Sequence, residues 1–123
     1  MNVLQTIPAF RIFDLAKAKE FYIDFLGFKI DWEHRFEGVA PVYMQISRAG
    51  CVLHLTEHYG DACPGALAYI RMTGIRVFHA ELIGKQYGYL RPGLETAPWG
   101  ALTMELIDPF GNHLRCAEDL PGK

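Results

Sequence analysis

This chain encodes an α+β fold of two βαβββ modules, about residues 1–60 and 61–123, and three observations point there. A strand, a helix and three strands in the first half are followed by the same order in the second. The halves register at an offset of 61, which sets Gly27 on Gly88, Phe28 on Tyr89, Gly50 on Gly111 and His54 on Arg115. Identity between the halves is low, so the shared order of elements carries more weight than any single match. The third observation is the clarity of the first helix. Two such units side by side place their helices outside and leave a cupped groove on the inner faces of mixed sheets.

Element by element, QTIPAFRIF alternates as a strand, and Asp14 then stands as the N-cap of LAKAKEFYIDFL. Leu15, Ala18, Tyr22, Phe25 and Leu26 recur at three- and four-residue spacing with Phe21 beside them, and Gly27 supplies the stop. FKIDWEHRF, VYMQISR and CVLHLTEH follow as strands, broken at GVAP and RAG. After the loop YGDACPG come ALAYIRM as a strand and a helix from about Ile75 to Tyr87 stopped by Gly88. The strands YLRPGLE, ALTMELI and HLRCAED complete the second module.

With 123 residues, 50% hydrophobic and 21% charged, the composition predicts one soluble globular domain spanning 1–123. A chain this short buries a limited share of its surface, so pairing with a second copy is an economical way to cover more. Lysine and arginine number 12 against 14 acidic residues, a net charge of -2 without a basic run, which argues against nucleic acid and for a small-molecule partner. Cys51, Cys63 and Cys116 form neither an even set nor a CxxC motif, which fits a reducing cytoplasm. The N-terminus lacks the apolar core of a signal peptide, and no stretch approaches the length of a membrane span.

FRIFDLAKAKEFYIDFLGF and LIDPFGNHL resemble the two signature stretches of the glyoxalase, bleomycin-resistance and ring-cleaving dioxygenase superfamily, the vicinal oxygen chelate fold. The first is the opening strand, helix and LGF stop; the second is the DPxGN hairpin before the last strand. With the repeat, the resemblance covers nearly the whole chain. One scaffold of this kind carries metal-dependent isomerases, thiol transferases, dioxygenases and metal-free antibiotic-binding proteins. The resemblance implies metal-ligand positions on the opening and final strand of each module, which fall on Ile7, His54, Ala68 (within a residue) and Arg115. Only His54 of these binds metals, and a cationic Arg115 repels an ion, whereas a catalytic divalent metal needs about three protein ligands. No metal and no cofactor are expected.

His54 and His58 form an HxxxH spacing that would hold zinc on a helix. In a strand the two lie about 13 Å apart at roughly 3.3 Å per residue, which leaves His54 as a polar groove contact and His58 in the following loop. No GxSxG motif occurs, and neither Cys51 nor Cys116 has a base at a useful spacing, so both read as small buried hydrophobes. What remains is aromatic and acidic. Trp32 and Phe36 lie in and just beyond the strand after the first helix, and Tyr43 and Gln45 share one face of the next. Glu105 shares a groove-facing side with Ala101 and Thr103, while Leu102, Met104 and Leu106 alternate onto the other.

The Pro98-Trp99-Gly100 turn and the Asp31-Trp32 pair resemble the bleomycin-resistance branch, where the resemblance implies that a tryptophan and an aromatic from different subunits stack on the drug's flat bithiazole. Such stacking adds about 0.5–1.5 kcal/mol per aromatic pair, and acidic residues such as Glu105 suit a cationic tail. Arg115 and His113, if groove-facing, add positive potential. Each residue has a structural alternative. In an unbroken strand Trp32 shares the parity of Phe28 and Ile30 and is core, so only a bulge turns it outward. Trp99 can pack over the sheet end while Gly100 relieves crowding, Glu105 can be merely solvated, and Tyr43 and Phe36 can be structural.

The expected function is metal-free sequestration of bleomycin-type antibiotics by a cytoplasmic homodimer, without catalysis. Its candidate ligand contacts are Trp32, Phe36, Tyr43, His54, Trp99, Gly100 and Glu105. The alternatives are a metal-dependent lyase or dioxygenase in which Glu105 or His113 joins His54, and a binder of another planar small molecule.

Overall fold

The computed structural model describes residues 1–35 and 41–122; Phe36, singled out above, lies outside them. Two separate four-stranded sheets form, ordered β1-β4-β3-β2 and β5-β8-β7-β6. In the first, β1 (Ala9–Arg11) runs parallel to β4 (Cys51–Thr56), and β3 (Val42–Arg48) joins β4 to β2 (Lys29–Arg35) by antiparallel pairing. In the second, β5 (Leu67–Arg71) runs parallel to β8 (His113–Asp119), followed by β7 (Ala101–Ile107) and β6 (Leu94–Ala97). One βαβββ arrangement is thus formed twice, and the α+β class read from the sequence holds.

The first helix begins as foreseen. Asp14 Oδ1 accepts from the Lys17 backbone N–H at 3.0 Å, and α1 (Leu15–Lys19) follows. From Glu20 to Phe25 the helix widens into a π-helix, in which the Leu26 N–H reaches back to the Phe21 carbonyl at 2.9 Å. The wider turn lets Phe21, Tyr22, Phe25 and Leu26 all enter the core. Gly27, at φ 78°, reverses the chain.

Three boundaries differ from expectation. The opening strand pairs over Ala9–Arg11 alone, because Pro8 has no N–H to give and offers only its carbonyl, to the His54 N–H. The second helix, α2 (Ile75–Gly84), ends before Tyr87, and Gln86 at φ 54° takes the left-handed position expected of Gly88. That turn sends Tyr87 inward, where its ring stacks on Phe25 at 4.5 Å. Third, YLRPGLE pairs from Leu94 only, beyond Pro92 and Gly93. At its other end α2 starts from Gly74, which has no capping side chain; the Glu118 carboxylate accepts from the Ile75 N–H instead, at 2.9 Å.

One face of each sheet is apolar and joins a core shared by both modules, including Phe10, Met44 and Leu55 from the first and Leu102, Met104 and Leu114 from the second. No helix among the described residues is long and apolar enough to cross a membrane. Polar ties also join the modules. Arg48 donates to the Leu26 carbonyl at 2.6 Å and holds Glu81 of α2 through two contacts of 2.7 Å, while Lys85 donates to the carbonyls of Asp24 and Phe25. A Cβ on Gly27 would stand 2.5 Å from Arg48 Nη1. Gly27→Ala is therefore expected to cost about 1–3 kcal/mol, from the left-handed backbone and the displaced guanidinium together. Urea denaturation checks this, and an unchanged midpoint would contradict it.

Candidate functional site

The faces turned away from the core carry the candidate residues. Across the first sheet, Ala9, His54, Gln45 and Trp32 stand in one row. Trp32 belongs to that row because the β2–β3 register slips between Ile30 and Trp32, a bulge at Asp31 that reverses the strand's parity. Ile30 keeps its side toward the core, while Trp32 is 42% exposed on the opposite face. Its ring lies near-parallel to Tyr43, 11° between planes and 6.1 Å between centroids, and edge-on to His54 at 5.3 Å.

Polar groups tie this cluster together. His54 Nδ1 lies 2.7 Å from the Tyr43 hydroxyl and Nε2 lies 3.0 Å from Gln45 Oε1. Gln45 Nε2 donates to Asp31 Oδ2 and Ser47 Oγ to Oδ1, each at 3.0 Å. These two donors hold the Asp31 carboxyl below the usual carboxylate range. Burial lowers the His54 pKa from its ordinary 6.5 and raises that of Tyr43. A histidine harder to protonate when folded contributes stability that is complete above its unfolded pKa and is lost as pH falls through the folded one. Between pH 7 and 5 the wild type is thus expected to lose more stability than His54→Asn, as read by urea midpoints; parallel losses would contradict it.

On the second sheet Tyr69, Arg115 and Glu105 form the corresponding row. Glu105 is outward, with Leu102, Met104 and Leu106 buried on the other face. Its carboxylate accepts from Arg115 Nε at 2.9 Å and lies 2.9 Å from His113 Nδ1, and the Arg115 contact leads in lowering its pKa. The acid expected to meet a cationic ligand is therefore matched by a cation of its own sheet. Trp99, 48% exposed, occupies the β6–β7 turn, and its Nε1–H donates to the Tyr69 hydroxyl at 3.2 Å. Gly100 (φ 88°) closes that turn, with its N–H on the Ala97 carbonyl and its carbonyl accepting from Leu120. Tyr69 is the residue sequence reasoning missed. Its signal was the alternation of LAYIR, which puts Tyr69 on the face opposite buried Ala68.

That alternation also bears on metal binding. Of the four positions carried over from the family, Ile7 has no donor group, Ala68 points to the core, Arg115 is paired with Glu105, and His54 has a neighbour at each ring nitrogen. Among the described residues no three His, Cys, Asp or Glu groups converge as metal ligands. The donor set does not fit a catalytic divalent ion. HxxxH does not lie on a helix: His54 is in β4 and His58 follows its end, with its N–H on Thr56 Oγ1. Burial pushes the Cys116 thiol up to about 12 and raises that of Cys51, so neither is an activated nucleophile.

Trp32, Tyr43 and His54 thus come together on one sheet, and Trp99, Gly100 and Glu105 lie on the other module. A cleft of about 1190 Å³ opens between the modules, lined by Leu53, Phe78 and Cys116 among others and, at one side, Tyr69. None of Trp32, Tyr43, His54, Trp99 or Glu105 lines it. Trp99 borders a shallow hollow with Pro98, Leu120 and Pro121.

Paired βαβββ modules whose sheets bury one face and present an aromatic, hydrogen-bonded one define the class of this protein. It belongs to the glyoxalase superfamily: the family model described as glyoxalase superfamily protein matches residues 1–123. Among solved structures, a bleomycin-binding protein complexed with bleomycin is 24% identical, with a TM-score of 0.73, covering 95% of this chain and 99% of that one. A bleomycin resistance determinant encoded on the transposon Tn5 is 22% identical, with a TM-score of 0.72 and coverage of 95% and 98%. TnmS3, an antibiotic-binding protein from a Streptomyces species, is 20% identical, with a TM-score of 0.69 and coverage of 97% and 99%. These likenesses show the fold. No curated protein matches the chain in sequence.

Proposed function

We propose that this chain sequesters bleomycin-type antibiotics without changing them, as a homodimeric cytoplasmic protein, and that 1–123 is one domain whose sheets supply two half-sites. The observation that carries this reading is the Trp32–Tyr43 pair, in which a bulge turns Trp32 outward beside Tyr43 and His54 braces the Tyr43 hydroxyl. An exposed Trp32 ring beside a near-parallel, half-buried Tyr43 gives a planar ligand a surface to stack on at little conformational cost. The second half-site is Trp99 with Tyr69. The two clusters lie on separate sheets, and a second copy facing the first supplies a groove with one cluster on each wall. The bleomycin-binding and resistance proteins that share the fold support the choice of ligand.

Titrating bleomycin into the protein by calorimetry and tryptophan fluorescence tests this, with saturable binding at micromolar or tighter affinity expected. Absence of binding overturns it, as does a stoichiometric metal in protein purified without chelator, which would favour a lyase or dioxygenase. The Glu105–Arg115 pair favours a second reading, a planar ligand without strong positive charge, and a screen of uncharged aromatic metabolites separates the two.

A further inference from the structure

We infer that Asp31 and Gln45 fix the hydrogen-bond polarity of the Trp32–Tyr43–His54 face, so that it selects ligands presenting an N–H or O–H donor to the Tyr43 hydroxyl oxygen. The selectivity rests on the reading above, that this face holds the ligand; the polarity itself does not. Asp31 is an ionised carboxylate that can only accept, surrounded by Gln45 Nε2, Ser47 Oγ and, at 3.8 Å, Lys29 Nζ. Gln45 must turn its NH2 toward that carboxylate, because the reverse orientation would set an amide oxygen against it. Its Oε1 then faces His54 Nε2 at 3.0 Å. An amide oxygen accepts, so Nε2 carries the hydrogen. A neutral imidazole has one N–H, which leaves Nδ1 bare, 2.7 Å from the Tyr43 oxygen. The Tyr43 O–H is drawn into that bond. Donation runs in one direction, Tyr43 to His54 to Gln45 to Asp31, and the phenol oxygen has only lone pairs for anything else that arrives.

A flat molecule lying over Trp32 and Tyr43 therefore gains a hydrogen bond if its edge carries a donor, and meets repulsion if its edge carries a carbonyl or bare ring nitrogen. Asp31 and Gln45 act through His54 and are positioning residues. Their role belongs to this chain's own sequence: the bulge that turns Trp32 outward also places Asp31 over Gln45 and Ser47.

Two-bond proton–nitrogen NMR correlation of the histidine rings, with His54 assigned through His54→Asn, reads the polarity directly. The wild type at pH 7 is expected to show a neutral ring protonated at Nε2. Asp31→Asn lets the Gln45 amide turn either way and mixes the tautomers. Combining Asp31→Asn with Gln45→Glu again places a carboxylate between the ring and an amide donor, and restores the Nε2–H form. With bleomycin as the probe, Asp31→Asn weakens affinity roughly three- to tenfold, and the double variant recovers it. An Nδ1–H ring in the wild type, or ring signals unmoved by Asp31→Asn, overturns the inference. If bleomycin fails to bind the wild type, the sequestration reading falls with its ligand selectivity, while the ring signals still decide the polarity.

Discussion

Asp108→Ala should destabilise the fold by about 3–5 kcal/mol, because it leaves several buried polar groups without their acceptor. Asp108 is 5% exposed, Asn112 1% and Tyr22 0%. One carboxylate oxygen accepts from the backbone N–H of Phe110 and of Asn112, each at 2.8 Å; the other accepts from the Tyr22 hydroxyl at 2.7 Å and Asn112 Nδ2 at 2.9 Å. Asn112 in turn donates to the Arg11 carbonyl and accepts from the Ala66 N–H. The DPxGN hairpin is thus a buried knot joining the first helix, the first strand and the last hairpin. Burial and the neighbouring carboxylate raise the Tyr22 pKa, so the phenol keeps its proton to donate. Tyr22→Phe removes one donor and keeps the ring, and is expected to cost about 1–2 kcal/mol. Urea titrations of both variants provide the check; a loss below about 1 kcal/mol for Asp108→Ala would show that water replaces the carboxylate and that the hairpin is not the tie described.

The repeat was legible because each element carries a local cause. Asp14 reaches the Lys17 N–H, Gly27 takes a positive φ, and alternation alone separates Leu102, Met104 and Leu106 from Thr103 and Glu105. Where the outcome depends on contacts distant in sequence, local signals fall short. The π-helix turns Phe21 and Tyr22 together into the core, and the reward for Tyr22 lies at Asp108, 86 positions away. At the end of α2, Gln86 bears the left-handed turn that brings Tyr87 onto Phe25, although a glycine follows two residues later.

For the site, residue types were readable and their partners were not. The face taken by Trp32 depends on one extra residue at Asp31, and period-two reasoning gives the opposite answer unless the slip is known. Glu105 read as a free acid because its neutralising partner, Arg115, lies across a strand pair. The Tyr43–His54–Gln45–Asp31 chain spans three strands, and each link exists only once the cross-strand register is fixed.

Trp32→Ala and Trp99→Ala are each expected to weaken bleomycin binding by about 2 kcal/mol, roughly 30-fold, and to cost about 1–3 kcal/mol of stability besides. Exposure sets both sides: at 42% for Trp32 and 48% for Trp99 about half of each residue is already covered on folding, and a stacked ligand would cover what is open. Trp99→Phe separates ring from donor, since it keeps a stacking surface but loses the N–H to Tyr69; it should cost less than the alanine variant. Tyr89→Ala is the control, an aromatic at 84% exposure that belongs to neither cluster. Calorimetry is the suitable readout because each tryptophan variant removes one of the two tryptophan fluorophores. If Trp99→Ala lowers the urea midpoint and leaves affinity untouched, its ring serves the sheet end, packed with Pro98, Leu120 and Pro121. If Trp32→Ala does the same, the bulge at Asp31 serves packing on Tyr43. The ratio of affinity loss to stability loss, measured on one protein preparation, decides each tryptophan separately.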